Sequence, residues 1–237
     1  MWPPVTIPPP AGASLLRGVL PGEVAWSEAF DDPQDVVTFP AEEAAISRAV
    51  PRRRREYQTV RHCAREALAS LGLPPVPILS GEKREPLWPE GIVGSMTHCQ
   101  GYRGAVVAAG NRVRSLGIDA EPHEPLPAGV LEQVATDQEH GELVRLADSV
   151  PGVHWDRLLF CAKEATYKAW FPLTGAWLGF SDANITIDPV DGCFASTLLV
   201  EGPVVDGERL RRMHGRWVVR HGLALTAIAV VARLGEA

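Results

Sequence analysis

Between residues 54 and 71 the apolar positions Val60, Cys63, Ala64, Ala67, Leu68 and Leu71 recur at three-to-four spacing, which predicts an amphipathic helix ending at Gly72, before Pro74. A shorter helix is expected ahead of it, because Pro40 followed by Ala41-Glu42-Glu43 is a start signal with acids in the first turn and Pro51 interrupts the pattern. The first 40 residues are proline-rich and irregular, and within them only residues 15–24 read as a strand. Further on, two β-like runs at 102–109 and 112–119 are separated by Gly110-Asn111, which predicts a hairpin. Helical spacing returns at 137–147 and more strongly at 153–171, where Trp155, Leu158, Leu159, Ala162, Ala165, Thr166 and Ala169 make a buried stripe. Strand-like runs at 184–187, 194–200, 216–219 and 223–231 close the chain.

Each half of the chain therefore shows helix followed by antiparallel strands. Segregated helices and consecutive short strands do not build a doubly wound parallel sheet, so the expected class is α+β. The expected organisation is two similar halves, residues 1–118 and 119–237, joined in one compact unit; 237 residues suffice for two such modules.

Composition narrows the options. The chain is 46% hydrophobic and 22% charged, ordinary for a folded protein, so disorder is not expected. A net charge of -6 argues against a surface built for nucleic acid, and any anion site must be local. Arg52 to Arg55, continued by Arg61 and Arg65 on the first long helix, read either as a solvated face or as an anion or partner site. The four cysteines, Cys63, Cys99, Cys161 and Cys193, form no short-spaced pair, so neither a redox CxxC nor a zinc knuckle is indicated and free thiols are expected. The first ten residues lack a basic n-region and are broken by prolines, and the apolar run at 223–234 is too short to span a bilayer. The expected location is the cytoplasm.

Three runs carry candidate chemistry. Asp119 and Glu121, two apart at a strand end, point to one face and offer paired carboxylates suited to a hard cation such as Mg²⁺. By itself such a pair is common, and a solvated strand end fits equally well. Lys163-Glu164 and Lys168 lie in the strongest helix; Glu164 and Lys168 make a favourable four-apart ion pair, yet charges on so apolar a helix also suit a cleft. The run Gly94-Ser95-Met96-Thr97-His98-Cys99, ahead of a strand, offers hydroxyls, backbone N–H groups and an imidazole to an anion, without the ending of a P-loop. His98 alone reads as a structural histidine or as a ligand.

Taken in order, these runs, together with Gly81-Glu82-Lys83-Arg84-Glu85-Pro86-Leu87-Trp88-Pro89, resemble the motifs of Sfp-type 4'-phosphopantetheinyl transferases, in particular the enterobactin-synthase component D-like branch of actinobacteria. The similarity runs from about residue 52 to residue 180. It implies a pseudo-dimer of two α+β halves with antiparallel sheets and a cofactor cleft between them. It implies Mg²⁺, or Mn²⁺, held by Asp119, Glu121 and Glu164 against the coenzyme A pyrophosphate. Lys163 and Lys168 would contact the phosphates, His98, Arg53 and Arg61 would face the ribose phosphate of the nucleotide, and Thr97 would also bind the cofactor. Many relatives carry a lysine where this chain has Ser80, and Lys83 is the expected substitute. Glu164, with Lys168, would be catalytic, taking the proton of a carrier-protein serine. The implied partners are coenzyme A and acidic acyl or peptidyl carrier proteins, met through Arg52 to Arg55 or Arg211-Arg212, with no nucleic acid or membrane and a monomeric enzyme. A metal-dependent coenzyme A phosphohydrolase, or a non-catalytic coenzyme A or carrier-binding paralogue, are the competing readings.

Overall fold

The computed structural model describes residues 14–34 and 36–233, and the proline-rich start of the chain lies outside them. Its first elements are strand β1 (Ala25–Ala29), helix α1 (Pro40–Ala45) and helix α2 (Pro51–Ser70), both helices opening on a proline that presets their first turn. Strands β2 (Ile92–Cys99) and β3 (Tyr102–Ala109) follow and form a hairpin through Gln100-Gly101, where Gly101 takes a φ of 76°. Antiparallel pairing in the order β1-β3-β2 gives the first sheet.

Strand β4 (Val113–Pro122) begins the second half. After it come α3 (Leu131–Val134), α4 (Asp137–Ser149), α5 (Trp155–Thr174), β5 (Ala183–Asp188) and β6 (Cys193–Leu198). A two-residue hairpin, β7 (Val204–Val205) and β8 (Glu208–Arg209), leads to β9 (Arg212–Arg220) and β10 (Leu223–Val231). The second sheet is antiparallel with the order β4-β10-β9-β6-β5. Helices and antiparallel sheets segregate as an α+β fold requires.

The core explains the layering. Ala105 and Val107 of β3 pack with Cys63, Ala64, Ala67 and Leu68 of α2, whereas Tyr102, Val106 and Ala108 on its other face pack with Leu116, Ile118 and Ala120 of β4 and Leu225 of β10. On the far side of the second sheet, Ile228 and Val230 meet Leu159, Ala162 and Ala169 of α5. The order of layers is helix, sheet, sheet, helix. No helix among the described residues is long and apolar enough to cross a membrane.

Three expectations are corrected. Residues 15–24 are not a strand: Leu16–Gly18 is a 3₁₀ turn that packs Leu15, Leu16 and Val19 into the core between the sheets. The run ending in Cys99 does not precede a strand but is strand β2 itself. The third concerns Gly110-Asn111. The tight two-residue hairpin turn that this dipeptide favours needs positive φ at its glycine at least, and neither residue has it. β3 therefore pairs with β1 and β2 while β4 leaves for the other sheet and pairs with β10 along its length, including both sides of the 118/119 boundary.

β2 and β4 meet without a backbone ladder. Instead, the Ser95 hydroxyl accepts from the Ile118 N–H at 3.1 Å and the Thr97 hydroxyl from the Ala120 N–H at 3.1 Å. This seam brings the end of β4 to the junction of the two halves.

Candidate active site

α5 lies across β4 because Gly117 has no side chain: a Cβ there would stand 2.0 Å from the Ala165 carbonyl oxygen and 2.7 Å from the Ala169 nitrogen. Two residues on, Asp119 projects into the junction. Its Oδ1 accepts from the Lys168 ammonium at 2.7 Å and from the Thr97 hydroxyl at 3.2 Å, and Lys168 also donates to the Ile118 carbonyl at 3.0 Å. Asp119 Oδ2 is buried with no hydrogen-bond partner. A buried carboxylate oxygen left bare is costly, so it marks a place where a cation or donor from outside the chain is expected.

The neighbouring acids agree. Burial pushes the Glu121 carboxyl up to about 7, with Asp119 adding to the rise and Arg157 opposing it. Glu164 is likewise raised, by burial and then by Asp119, with Lys168 opposing. Lys168 keeps its proton more firmly than usual: burial works against the charge, but Asp119 and Glu164 outweigh it. The chemistry of the set, three mutually repelling carboxylates with one bare oxygen, fits a hard divalent cation. Among the described residues no three acidic, histidine or cysteine side chains form a ready-made cage, so oxygens from outside the chain would complete its shell.

A second cluster lies on the first half. Arg53 of α2 meets the His98 ring at Nε2, and burial together with the Arg53 charge pushes the imidazole down to about 4, so it is neutral at neutral pH. Arg61, buried on the same helix, donates to the Ile78 carbonyl at 2.6 Å and to the Ser80 hydroxyl at 3.1 Å. Ser80 forms the base of the turn that carries exposed Lys83. The first turn of α2 holds four arginines and no acid, against the sense of the helix dipole.

Two expected cofactor contacts, Lys163 and Thr97, are engaged within the fold. Lys163 is 100° around α5 from Glu164 and faces the second core, where it is 4% exposed and donates to Glu139 at 2.8 Å, to the Phe180 carbonyl at 2.6 Å and to the Ala183 carbonyl at 3.0 Å. All three of its donors are used. Thr97 is buried too, its hydroxyl accepting from Ala120 and donating to Asp119, so it braces the strand end instead of facing a ligand.

The structure also adds residues that the sequence reading did not single out. Arg157 reaches Glu121 at 3.3 Å and ties down the Glu124 and Pro125 carbonyls at 3.0 Å each. The signal for it was spacing: residues 157, 164 and 168 are seven and four apart, one face of one helix. Glu56, within 3.9 Å of His98 and Arg103, lies four residues after Arg52 and balances the basic cluster. Two surface hollows of about 410 and 420 Å³ lie beside β1 and on the outer face of β6, and neither includes these groups. The candidate site lies at the seam of β2 and β4, against α5.

Comparison with known proteins finds two family models along the chain. Residues 41–108 match the family model of the 4'-phosphopantetheinyl transferase N-terminal domain, and residues 115–211 match that of the 4'-phosphopantetheinyl transferase superfamily. The chain is 51% identical over 222 residues to 4'-phosphopantetheinyl transferase PptT of Mycobacterium tuberculosis, covering 92% of this chain and 97% of that protein. It is 54% identical over 225 residues to 4'-phosphopantetheinyl transferase Svp of Streptomyces mobaraensis, covering 95% and 91%. Enterobactin synthase component D of Salmonella typhi is more distant, 34% identical over 136 residues, with 57% and 55% covered.

Proposed function

The chain belongs to the 4'-phosphopantetheinyl transferase superfamily, and on that premise we propose that it moves the 4'-phosphopantetheine group of coenzyme A onto a serine of apo acyl or peptidyl carrier proteins. The observation that carries the site assignment is Asp119, pinned by Lys168 on one oxygen and bare on the other, beside Glu121 and Glu164. Those three carboxylates would hold Mg²⁺, or Mn²⁺, which also accepts oxygen ligands. Bound there, the ion supplies charge neutralisation to the pyrophosphate.

The residues of the chain do the rest. In this reading the bond between the serine Oγ and the phosphorus nearer pantetheine forms as the bond from that phosphorus to the bridging oxygen breaks. The electron pair leaves with adenosine 3',5'-bisphosphate. Glu164, its carboxyl raised above the ordinary range by burial and Asp119, takes the serine proton. Lys168, held protonated by Asp119, presents its charge where the departing phosphate gains its own. Arg53, Arg61 and His98 receive the phosphate of the nucleotide, with Lys83 on the adjoining turn. Because the two halves of one chain already frame the cleft, a monomer suffices, and the four free thiols suit a cytoplasmic enzyme.

The test is intact-protein mass spectrometry of apo carriers incubated with the protein, coenzyme A and Mg²⁺, with an EDTA control. A phosphopantetheine mass gain lost in EDTA is expected. Nucleotide release without a carrier would instead mark a phosphohydrolase, and coenzyme A binding with no gain on several carriers a non-catalytic paralogue.

A further inference from the structure

Arg53, Tyr57 and Arg61 are spaced four residues apart and stand one above another on the face of α2 that meets His98. The two arginines have evident work, but the tyrosine hydroxyl does not. Tyr57 is 8% exposed, and its hydroxyl is buried with no hydrogen-bond partner. Its ring lies 3.2 Å beneath the Arg61 guanidinium, a stacking contact that phenylalanine would make equally well. A phenol retained in a dry position without a partner needs an explanation, because deleting its oxygen would leave the packing intact and remove a desolvation penalty.

The surroundings indicate what the missing partner is. Arg53, Arg61 and His98 converge here. Of the nearby acids, Glu42 holds Arg65 at 2.8 Å, and the single carboxylate of Glu56 is shared among Arg52, at 2.9 Å, Arg53, at 3.6 Å, and His98, at 3.9 Å. The unmet demand of this face is for an anion with several acceptor oxygens.

We propose that the Tyr57 hydroxyl is a further donor to the nucleotide-end phosphate of coenzyme A, a neutral member of the Arg53, Arg61 and His98 set that helps the site prefer coenzyme A over its dephosphorylated form. This rests on the reading of that face as the nucleotide subsite. A neutral donor adds discrimination without adding to the repulsion between the two guanidinium groups.

Steady-state kinetics of Tyr57→Phe with coenzyme A and with dephospho-coenzyme A, beside a thermal melt, test it. Loss of one hydrogen bond to a charged group predicts about a tenfold rise in KM for coenzyme A. The KM for dephospho-coenzyme A should move less than about twofold, with kcat held and Tm unchanged or higher. An unchanged KM for coenzyme A overturns the proposal, and so does an equal rise for both substrates, which would assign the residue to packing. If the unsubstituted protein itself shows no preference for coenzyme A over the dephospho form, the subsite reading fails first, and the proposal with it.

Discussion

Replacing Gly117 by alanine should damage both stability and turnover, and the size of each effect follows from the contact between β4 and α5. The new Cβ would stand 2.0 Å from the Ala165 carbonyl oxygen, 2.7 Å from the Ala169 nitrogen and 3.0 Å from the Ala169 Cβ. Ordinary contact begins near 3.4 Å, so strand and helix must part by at least the difference, 3.4 − 2.0 = 1.4 Å. The nearest atoms are backbone, and no rotamer change can absorb the clash. Overpacking of this kind costs about 3 kcal/mol. In a chain of this size that lowers Tm by about 6 to 12 °C. The same displacement acts on Lys168, which sits on α5 between the two clashing residues and bonds Asp119 at 2.7 Å and the Ile118 carbonyl at 3.0 Å. Misplacing such groups by about 1 Å lowers turnover about a hundredfold. Carrier loading at saturating coenzyme A and Mg²⁺, read by mass spectrometry, and a differential scanning melt measure the two effects. Adding Ala169→Gly should not rescue either one, since it removes only the longest of the three contacts. Turnover within about threefold of the parent and an unmoved Tm would refute the reasoning that this glycine sets the spacing of the site.

Further outcomes are expected. Glu164→Gln should abolish nearly all transfer while leaving Tm unchanged or raised, because burial and Asp119 both disfavour the charge it removes; near-normal turnover would end its assignment as base. Glu121, pushed up to about 7 in the metal-free protein, is ordinary when unfolded, so its contribution to stability is full below 4.5 and fades as pH rises through 7. Mg²⁺ needs that proton gone, and calorimetric titration should find it bound roughly tenfold more tightly at pH 8 than at pH 6; equal affinities would refute the coupling. Lys163→Met leaves Glu139 buried and unpaired and should cost about 3 to 5 kcal/mol in urea unfolding, with the KM for coenzyme A unchanged in the folded fraction; a raised KM at full stability would return Lys163 to the phosphate site. Burial pushes the Cys63 and Cys99 thiols up to about 12 and also raises Cys161, so a disulfide reagent at pH 8 should label the native protein chiefly at half-buried Cys193, a result that peptide mapping would contradict if Cys63 were labelled as fast.

Much of the site was legible because its chemistry sits on short runs. Asp119 and Glu121 share a strand face by their spacing alone, and Glu164 and Lys168 share a helix face in the same way. Spacing could not reveal which side of α5 faces the cleft. Lys163 and Glu164 are neighbours, and the core claims the lysine only because Glu139, 24 residues away, caps α4 with one oxygen and accepts its ammonium with the same carboxylate. The hairpin between β3 and β4 was misread for a related reason. β3 is buried on both faces, by α2 and by the second sheet, so its run of apolar residues carries no alternation to say which strand it pairs with. Tyr57 carries no signal of its own in the sequence, because a tyrosine at helical spacing looks like core, and only the empty hydroxyl sets it apart.

The seam between β2 and β4 has a mechanical consequence. Each sheet is internally knit by a ladder of backbone bonds, but these two strands are joined by the hydroxyls of Ser95 and Thr97 accepting from Ile118 and Ala120. Pulled apart, the two halves would separate along this line before either sheet unzips, and the line runs through the residues on both sides of Asp119. Amide exchange at 118 and 120 would report how often that line parts beside Asp119.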